Sequence, residues 1–114
     1  MKTVQWKLFL DDVREVTDIY DDASGFTVAR NLIHAKTLIQ LFGIPHFISF
    51  DHDLGGDETG YELVKWMVDL DMESPIFPPD FQFRVHSANP VGRKNIECYL
   101  NNYLHFKGAM NDTG

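Results

Sequence analysis

Asp11-Asp12, Asp51-His52-Asp53 and the run His86-Ser87-Ala88-Asn89-Pro90-Val91-Gly92-Arg93 are the stretches of this sequence whose residue types can do chemistry together. Carboxylates gathered in one cleft repel one another and need a cation, a shared proton or ample water to stay ionised. Asp11, Asp12, Asp51 and Asp53 are therefore candidate metal ligands. Their oxygen donors favour Mg²⁺ or Mn²⁺, while His52 and His86 leave room for a softer transition metal. The same two histidines are the candidate catalytic acid/base groups, and His86 can be read equally as a metal ligand or a structural histidine. In the third run, a strand passes into a helix, so first-turn amides direct partial positive charge at the space before them. With Ser87, Asn89, Gly92 for close approach and Arg93 for a bidentate contact, this run reads as phosphate-binding. Arg14, three residues after Asp11, is a further candidate to hold a phosphate or neutralise a carboxylate. Each piece also has a plainer reading: a solvated loop for Asp11-Asp12, a turn cap for Asp51, a helix cap for Asn89. Their joint placement is what favours a site.

That placement depends on the elements. Trp6 to Leu10 is apolar apart from Lys7 and stops at Asp11-Asp12, as a buried parallel strand does at a sheet edge. The polar segment from Asp11 to Gly25 offers at most one helical turn, around Val16 to Tyr20. Phe26 to Arg30 is a second strand, and Asn31 caps a helix that buries Leu32, Ala35, Leu38, Ile39 and Phe42 until Gly43. His46 to Phe50 is a third strand, followed by Asp51 to Asp53 and a turn at Gly55-Gly56. Thr59 and Glu62 form a capping box for a helix carrying Leu63, Val64, Trp66, Met67, Val68 and Leu70. Met72 to Asp80, with its prolines, is a surface loop. Phe81 to His86 is the fourth strand, and Asn89-Pro90 opens a last helix through Ile96, Tyr99, Leu100, Tyr103 and Leu104 up to Gly108. Strands separated by helices imply a parallel, doubly wound α/β sheet of about four strands, with helices on both faces. Ligands of such sheets sit outside the carboxyl ends of the strands, where all three chemical stretches fall.

The chain has 114 residues and 44% hydrophobic content, which suits one domain over residues 1–108 with a disordered tail at 109–114. Its formal charge of −7 argues against an electrostatic grip on extended nucleic acid or an anionic membrane. The expected partner is a small molecule or a nucleic-acid end, where a bound metal reverses the local field at one phosphate. No apolar run approaches the ~20 residues of a membrane span, and the start MKTVQWKLFLDD lacks the pattern of a signal peptide. A cytoplasmic location is expected. The single cysteine, Cys98, lies in an apolar-periodic stretch and reads as a buried thiol.

Leu8-Phe9-Leu10-Asp11-Asp12-Val13-Arg14, Ser49-Phe50-Asp51-His52-Asp53-Leu54-Gly55 and the run from His86 to Arg93 together resemble the cyclic-phosphate processing receiver-like domain family. With Thr59-Gly60-Tyr61, the resemblance spans nearly the whole chain. It implies a single receiver-like (flavodoxin-like) domain that processes cyclic phosphates with metal-binding acidic residues. By the same resemblance, Asp11 and Asp12 fall where receivers hold Mg²⁺. Asp51 falls where receivers accept phosphate, and Ser87 matches the hydroxyl residue after the fourth strand. A receiver's fifth strand with its terminal Lys has no counterpart, and Glu15-Val16 stand where the cyclic-phosphate family leads one to expect a proline. The leading expectation is metal-dependent hydrolysis of a cyclic phosphate in a nucleotide or at an RNA end. The alternatives are a divergent phosphoacceptor receiver and a protein that sequesters a cyclic nucleotide without cleaving it.

Overall fold

Three consecutive apolar residues with no exposure at all, Leu8, Phe9 and Leu10, mark the central strand of the fold. The computed structural model describes residues 5–113, with side chains described through Gly108. Four short strands, β1 (Lys7–Leu10), β2 (Phe26–Ala29), β3 (Phe47–Phe50) and β4 (Gln82–Val85), form one sheet in the order β2-β1-β3-β4. All neighbours run parallel. Three α-helices accompany them: α1 (Leu32–Phe42), α2 (Gly60–Glu73) and α3 (Pro90–Thr113). This is the expected single receiver-like α/β domain. None of the helices is long and apolar enough to cross a membrane.

The strand register sorts side chains by face. Leu8, Leu10, Ile48, Phe50 and Val85 lie on one face and form the core with Ala35 and Ile39 of α1, Leu63, Val64 and Met67 of α2, and Ile96 and Leu100 of α3. All three α-helices pack there, with α2 between α1 and α3. The other face carries Phe9, Phe26, Phe47 and Ser49, covered by the segment between β1 and β2. That segment holds a single 3₁₀ turn, Val16–Asp18. The expectation of helices on both faces is met on this side by that turn alone. Here Val16 is buried, and the Tyr20 ring stacks on Phe26 at 5.2 Å between centroids. Lys7 and Arg84 add cations over the rings of Phe26 and Tyr20.

The helix starts follow their sequence signals. Asn31 accepts a hydrogen bond from the His34 amide, and Thr59 and Glu62 form their capping box. One helix ending and one side chain differ from expectation. Gly108 does not stop α3, whose backbone continues helical to Thr113 through most of the expected tail; Gly114 lies outside the described residues. A glycine interrupts a helix only when it turns to positive φ, and otherwise costs about 1 kcal/mol while leaving it continuous. Cys98 is exposed rather than buried. It sits two residues after Ile96, about 200° around the helix, and so faces away from the core that Ile96 and Leu100 enter.

At the far end of α2, Asp71 is almost fully buried. Its Oδ1 accepts the amides of Ile76 and Phe77, while Oδ2 accepts the Tyr103 hydroxyl and the Lys107 ammonium at 2.6 Å. This clasp ties the loop after α2 to α3.

Candidate functional site

Because β1 and β3 are neighbours in register, with Leu10 beside Phe50, the residues that follow them emerge side by side at the carboxyl edge. Asp11, Asp12 and Asp51 each offer a carboxylate oxygen there, and these oxygens all lie within 4.8 Å of one another. Asp11 is fully buried. Its Oδ1 accepts the amides of Val13 at 2.9 Å and Arg14 at 2.8 Å, the local turn that Asp favours after a strand. Burial alone would raise its pKa, but those amides and His86 outweigh it and hold the carboxyl below the usual range. For Asp51 the balance is reversed. Burial, then repulsion from Asp11, pushes its carboxyl above the usual range, against opposition from His86, the His52 amide and the Ser87 hydroxyl. A group of hard oxygen donors, one destabilised by its neighbour's charge, is the donor set that Mg²⁺ or Mn²⁺ relieves. The residues therefore fit a divalent metal.

Two glycines set how closely the surrounding helices approach. A Cβ on Gly60 would overlap the Asp51 carbonyl, so a glycine lets α2 begin directly against the strand end. A Cβ on Gly92 would overlap the His52 ring, which α3 thus holds in place. The glycine turn that follows Asp53 lays Gly55 against the Asp12 carboxylate.

Asp53 does not join the other three. Its side chain is 65% exposed, with Oδ1 at 3.0 Å from His52 Nδ1 and Oδ2 accepting from Asn89 Nδ2 at 3.3 Å. The expected convergence of four carboxylates is corrected to three: His52 and Asn89 draw Asp53 to the α3 side of the cleft. The arrangement leaves His52 Nε2 without a hydrogen-bond partner among the described residues, in an Asp-oriented imidazole.

His86 has a different setting. Its side chain is 2% exposed, its ring stacks on Phe9 at 4.6 Å, Nε2 lies 3.0 Å from Asp11 Oδ2, and Nδ1 lies 2.7 Å from Ser49 Oγ. Both ring nitrogens are engaged, an arrangement that fits the structural reading of His86, holding Asp11, better than the readings as acid or metal ligand. Burial lowers its pKa first of all, with Asp11 and Asp51 opposing.

The phosphate candidates divide. Ser87 is buried beside Asp51, and its hydroxyl accepts the Asn89 amide. Asn89 caps α3 by accepting from the Gly92 amide at 3.0 Å, and the Arg93 amide bonds the Asn89 carbonyl. The first turn of α3 thus keeps fewer open amides than the sequence implied, those of Ala88 and Val91 having no acceptor among the described residues. Arg93 does not lean toward the cleft; its Nε donates to Glu97, one turn further along. Arg14 donates to the His86 carbonyl at 3.1 Å and stands 3.8 Å from Asp11 Oδ2, a charge partner for the carboxylate.

Sequence reasoning missed Arg30, which donates to the carbonyls of Asp11 and Arg14 and pairs with Glu15 at 2.7 Å, clamping the loop after β1. Its position at the end of β2, on the strand beside β1, was the available signal. Ser49 and Tyr20 were also missed; a hydroxyl between Ile48 and Phe50 in an apolar strand was the available signal for Ser49, and nothing local marks Tyr20.

No curated protein and no solved structure matches the chain. The family model of the cyclic-phosphate processing Receiver domain matches residues 6–102, a span that contains every candidate site residue. With the parallel sheet, the carboxylate trio after β1 and β3 and the capped helix start after β4 in place, the chain belongs to the cyclic-phosphate processing Receiver domain family.

Proposed function

We propose that this domain hydrolyses a cyclic phosphate, in a nucleotide or at an RNA end, to a phosphomonoester with the help of a divalent metal. The observation that carries the reading is the approach of Asp11, Asp12 and Asp51 to within one ion's reach, beside an Asp-oriented His52. Asp11, Asp12 and Asp51 would hold Mg²⁺ or Mn²⁺, which would supply positive charge at the phosphate and make water a better nucleophile. Ser87 and the open amides at the start of α3 receive non-bridging phosphate oxygens. Asn89 holds Asp53, and Asp53 holds the His52 ring through Nδ1, leaving Nε2 without a hydrogen-bond partner among the described residues, so that His52 is the group able to move a proton. In ring opening, water adds to phosphorus and releases one proton to solvent, one ester P–O bond breaks, and the departing oxygen takes a proton from Nε2 of the His52 imidazolium, which solvent then reprotonates. Arg14 stays with Asp11 and the His86 carbonyl, keeping the loop after β1 in place.

The phosphoacceptor alternative requires a cation against a phosphorylated Asp51, and the two candidate arginines are committed: Arg14 to the His86 carbonyl and Arg93 to Glu97. Sequestration without cleavage leaves the oriented His52–Asp53 pair without a task.

The test is a panel of 2′,3′-cyclic and 3′,5′-cyclic nucleotides and RNA ending in a cyclic phosphate, incubated with Mg²⁺ or Mn²⁺. At least one member is expected to open to a monoester, and chelation should stop it. His52→Ala should lower turnover by about 10²-fold or more. Tight binding without product would favour sequestration, and neither binding nor cleavage would overturn the reading.

A further inference from the structure

Ser49 is a fully buried hydroxyl in the middle of a central strand, on the aromatic face of the sheet. A buried hydroxyl without partners costs about 1–3 kcal/mol, so its partners state its purpose. It has two. Tyr20 Oη, from the segment covering this face, lies 2.8 Å away, and His86 Nδ1 lies 2.7 Å away. His86 Nε2 then meets Asp11 Oδ2, so one line of hydrogen bonds runs Tyr20–Ser49–His86–Asp11 from the aromatic face to the carboxylate trio.

The line has one consistent direction. Asp11 Oδ1 already accepts two backbone amides, which can only donate, and Arg14 stands near Oδ2. The carboxylate is surrounded by donors, so Nε2 must carry a hydrogen toward it. A neutral imidazole with Nε2–H has a bare Nδ1, which requires Ser49 to donate its proton there. Ser49 then has only its oxygen lone pairs left, and Tyr20 donates to them. Were the line reversed, Nδ1–H would donate to Ser49, and a bare Nε2 would face the carboxylate, lone pair against lone pair.

We infer that Ser49 and Tyr20 are positioning residues of the site: they fix His86 as its Nε2–H tautomer, and His86 in turn orients Asp11 for the metal. The inference rests on the metal reading for its last link alone. Metal-ligating groups are regularly held by such outer partners, whose loss lowers affinity by about 10–100-fold. Stacking on Phe9 fixes the plane of the His86 ring, and Ser49 fixes which nitrogen carries the proton. Tyr20 is the more dispensable member, since Ser49 can donate to His86 without it.

Two measurements test this separately. Long-range ¹H–¹⁵N correlation spectra of the imidazole rings at neutral pH, without metal, report the tautomer. His86 is expected as Nε2–H in the native protein and as a mixture in Ser49→Ala, with Tyr20→Phe between them. An Nδ1–H tautomer or a doubly protonated ring in the native protein would overturn the inference whether or not metal binds. Calorimetric titration with Mn²⁺ should then show Ser49→Ala binding about tenfold more weakly, Tyr20→Phe losing less, and Ser49→Thr, which restores a hydroxyl, recovering part of the loss. Native-like Mn²⁺ affinity in Ser49→Ala would reject the positioning role while leaving the metal reading intact. Absence of Mn²⁺ binding by the native protein would instead reject the metal reading, and the tautomer spectra would still decide the role of Ser49.

Discussion

Asp51 and Asp71 are both buried carboxylates, set at opposite ends of this fold, and they are treated in opposite ways. Asp71 lies in the last turn of α2, a helix that begins beside Asp51 at Gly60, and the helical rise from Gly60 to Asp71 separates the two by about 16 Å. Burial would raise the Asp71 pKa, but Lys107, Tyr103 and the amides of Phe77 and Ile76 hold it down at about 2. The protein itself completes that charge. At Asp51 the same burial is joined by a second carboxylate, and the result is a shift upward. The lesson is that burial of an acid does not by itself mark function. An acid whose counter-charge is built into the chain is structure; one set against another acid at a strand end is a candidate to bind a cation.

The comparison can be broken most directly at the clasp. Asp71→Ala strips the acceptor from four donors, one of them an ammonium, and should lower unfolding free energy by about 3 kcal/mol or more in urea titrations. Divalent metal should not restore it. If the variant is as stable as the native chain, Asp71 is not the counterpart argued here.

Next in size is the acid limb of stability. Asp71 has a depressed folded pKa, so its contribution is fully present above the usual carboxylate range and is lost as pH falls from near 4 through about 2. Its size is about 2 kcal/mol, and the slope in that window should be shallower in Asp71→Ala. Asp51 has the other sign. With a raised folded pKa, the metal-free native state holds its proton more tightly than the unfolded chain, so stability falls as pH rises through the folded value. Equilibrium unfolding across acidic pH, with and without metal, checks both signs.

At the site, packing is tight where charge is left open. Gly92→Ala places a Cβ into the His52 ring and should cost about 1 kcal/mol in stability, while turnover drops as far as in His52→Ala. Full activity in this variant would mean that His52 does not need its present position. The smallest effect is expected from Asp51→Asn, which should raise the melting temperature of the metal-free protein by a few degrees, because it removes the repulsion with Asp11.

Much of this arrangement was legible in the sequence. Strand ends can be read from where apolar runs stop, and helix starts from Asn31, Thr59 with Glu62, and Asn89, because those signals are local. The position of Asp11, Asp12 and Asp51 follows from them once the strands are parallel. What could not be read was direction. A histidine at a strand end can turn to solvent or back across the sheet, and His86 turns back because Ser49 on the adjacent β3 and Phe9 on β1 beyond it receive it. Arg93 could lean toward the helix start or along the helix, and Glu97 takes it the second way. Asp71 was one acid among many in a helix, and its partners lie 32 and 36 residues away at Tyr103 and Lys107. The exposure of Cys98, by contrast, was available from its spacing to Ile96.

The central claim is that the trio at the carboxyl edge of β1 and β3 holds a divalent cation, and calorimetric titration of the folded protein with Mg²⁺ and Mn²⁺ tests it most directly. The account predicts a single site in the native chain, lost in Asp51→Asn and kept in Asp53→Asn, whose carboxylate serves His52 instead. No binding by the folded native protein at millimolar metal, or equal binding by Asp51→Asn, would contradict it.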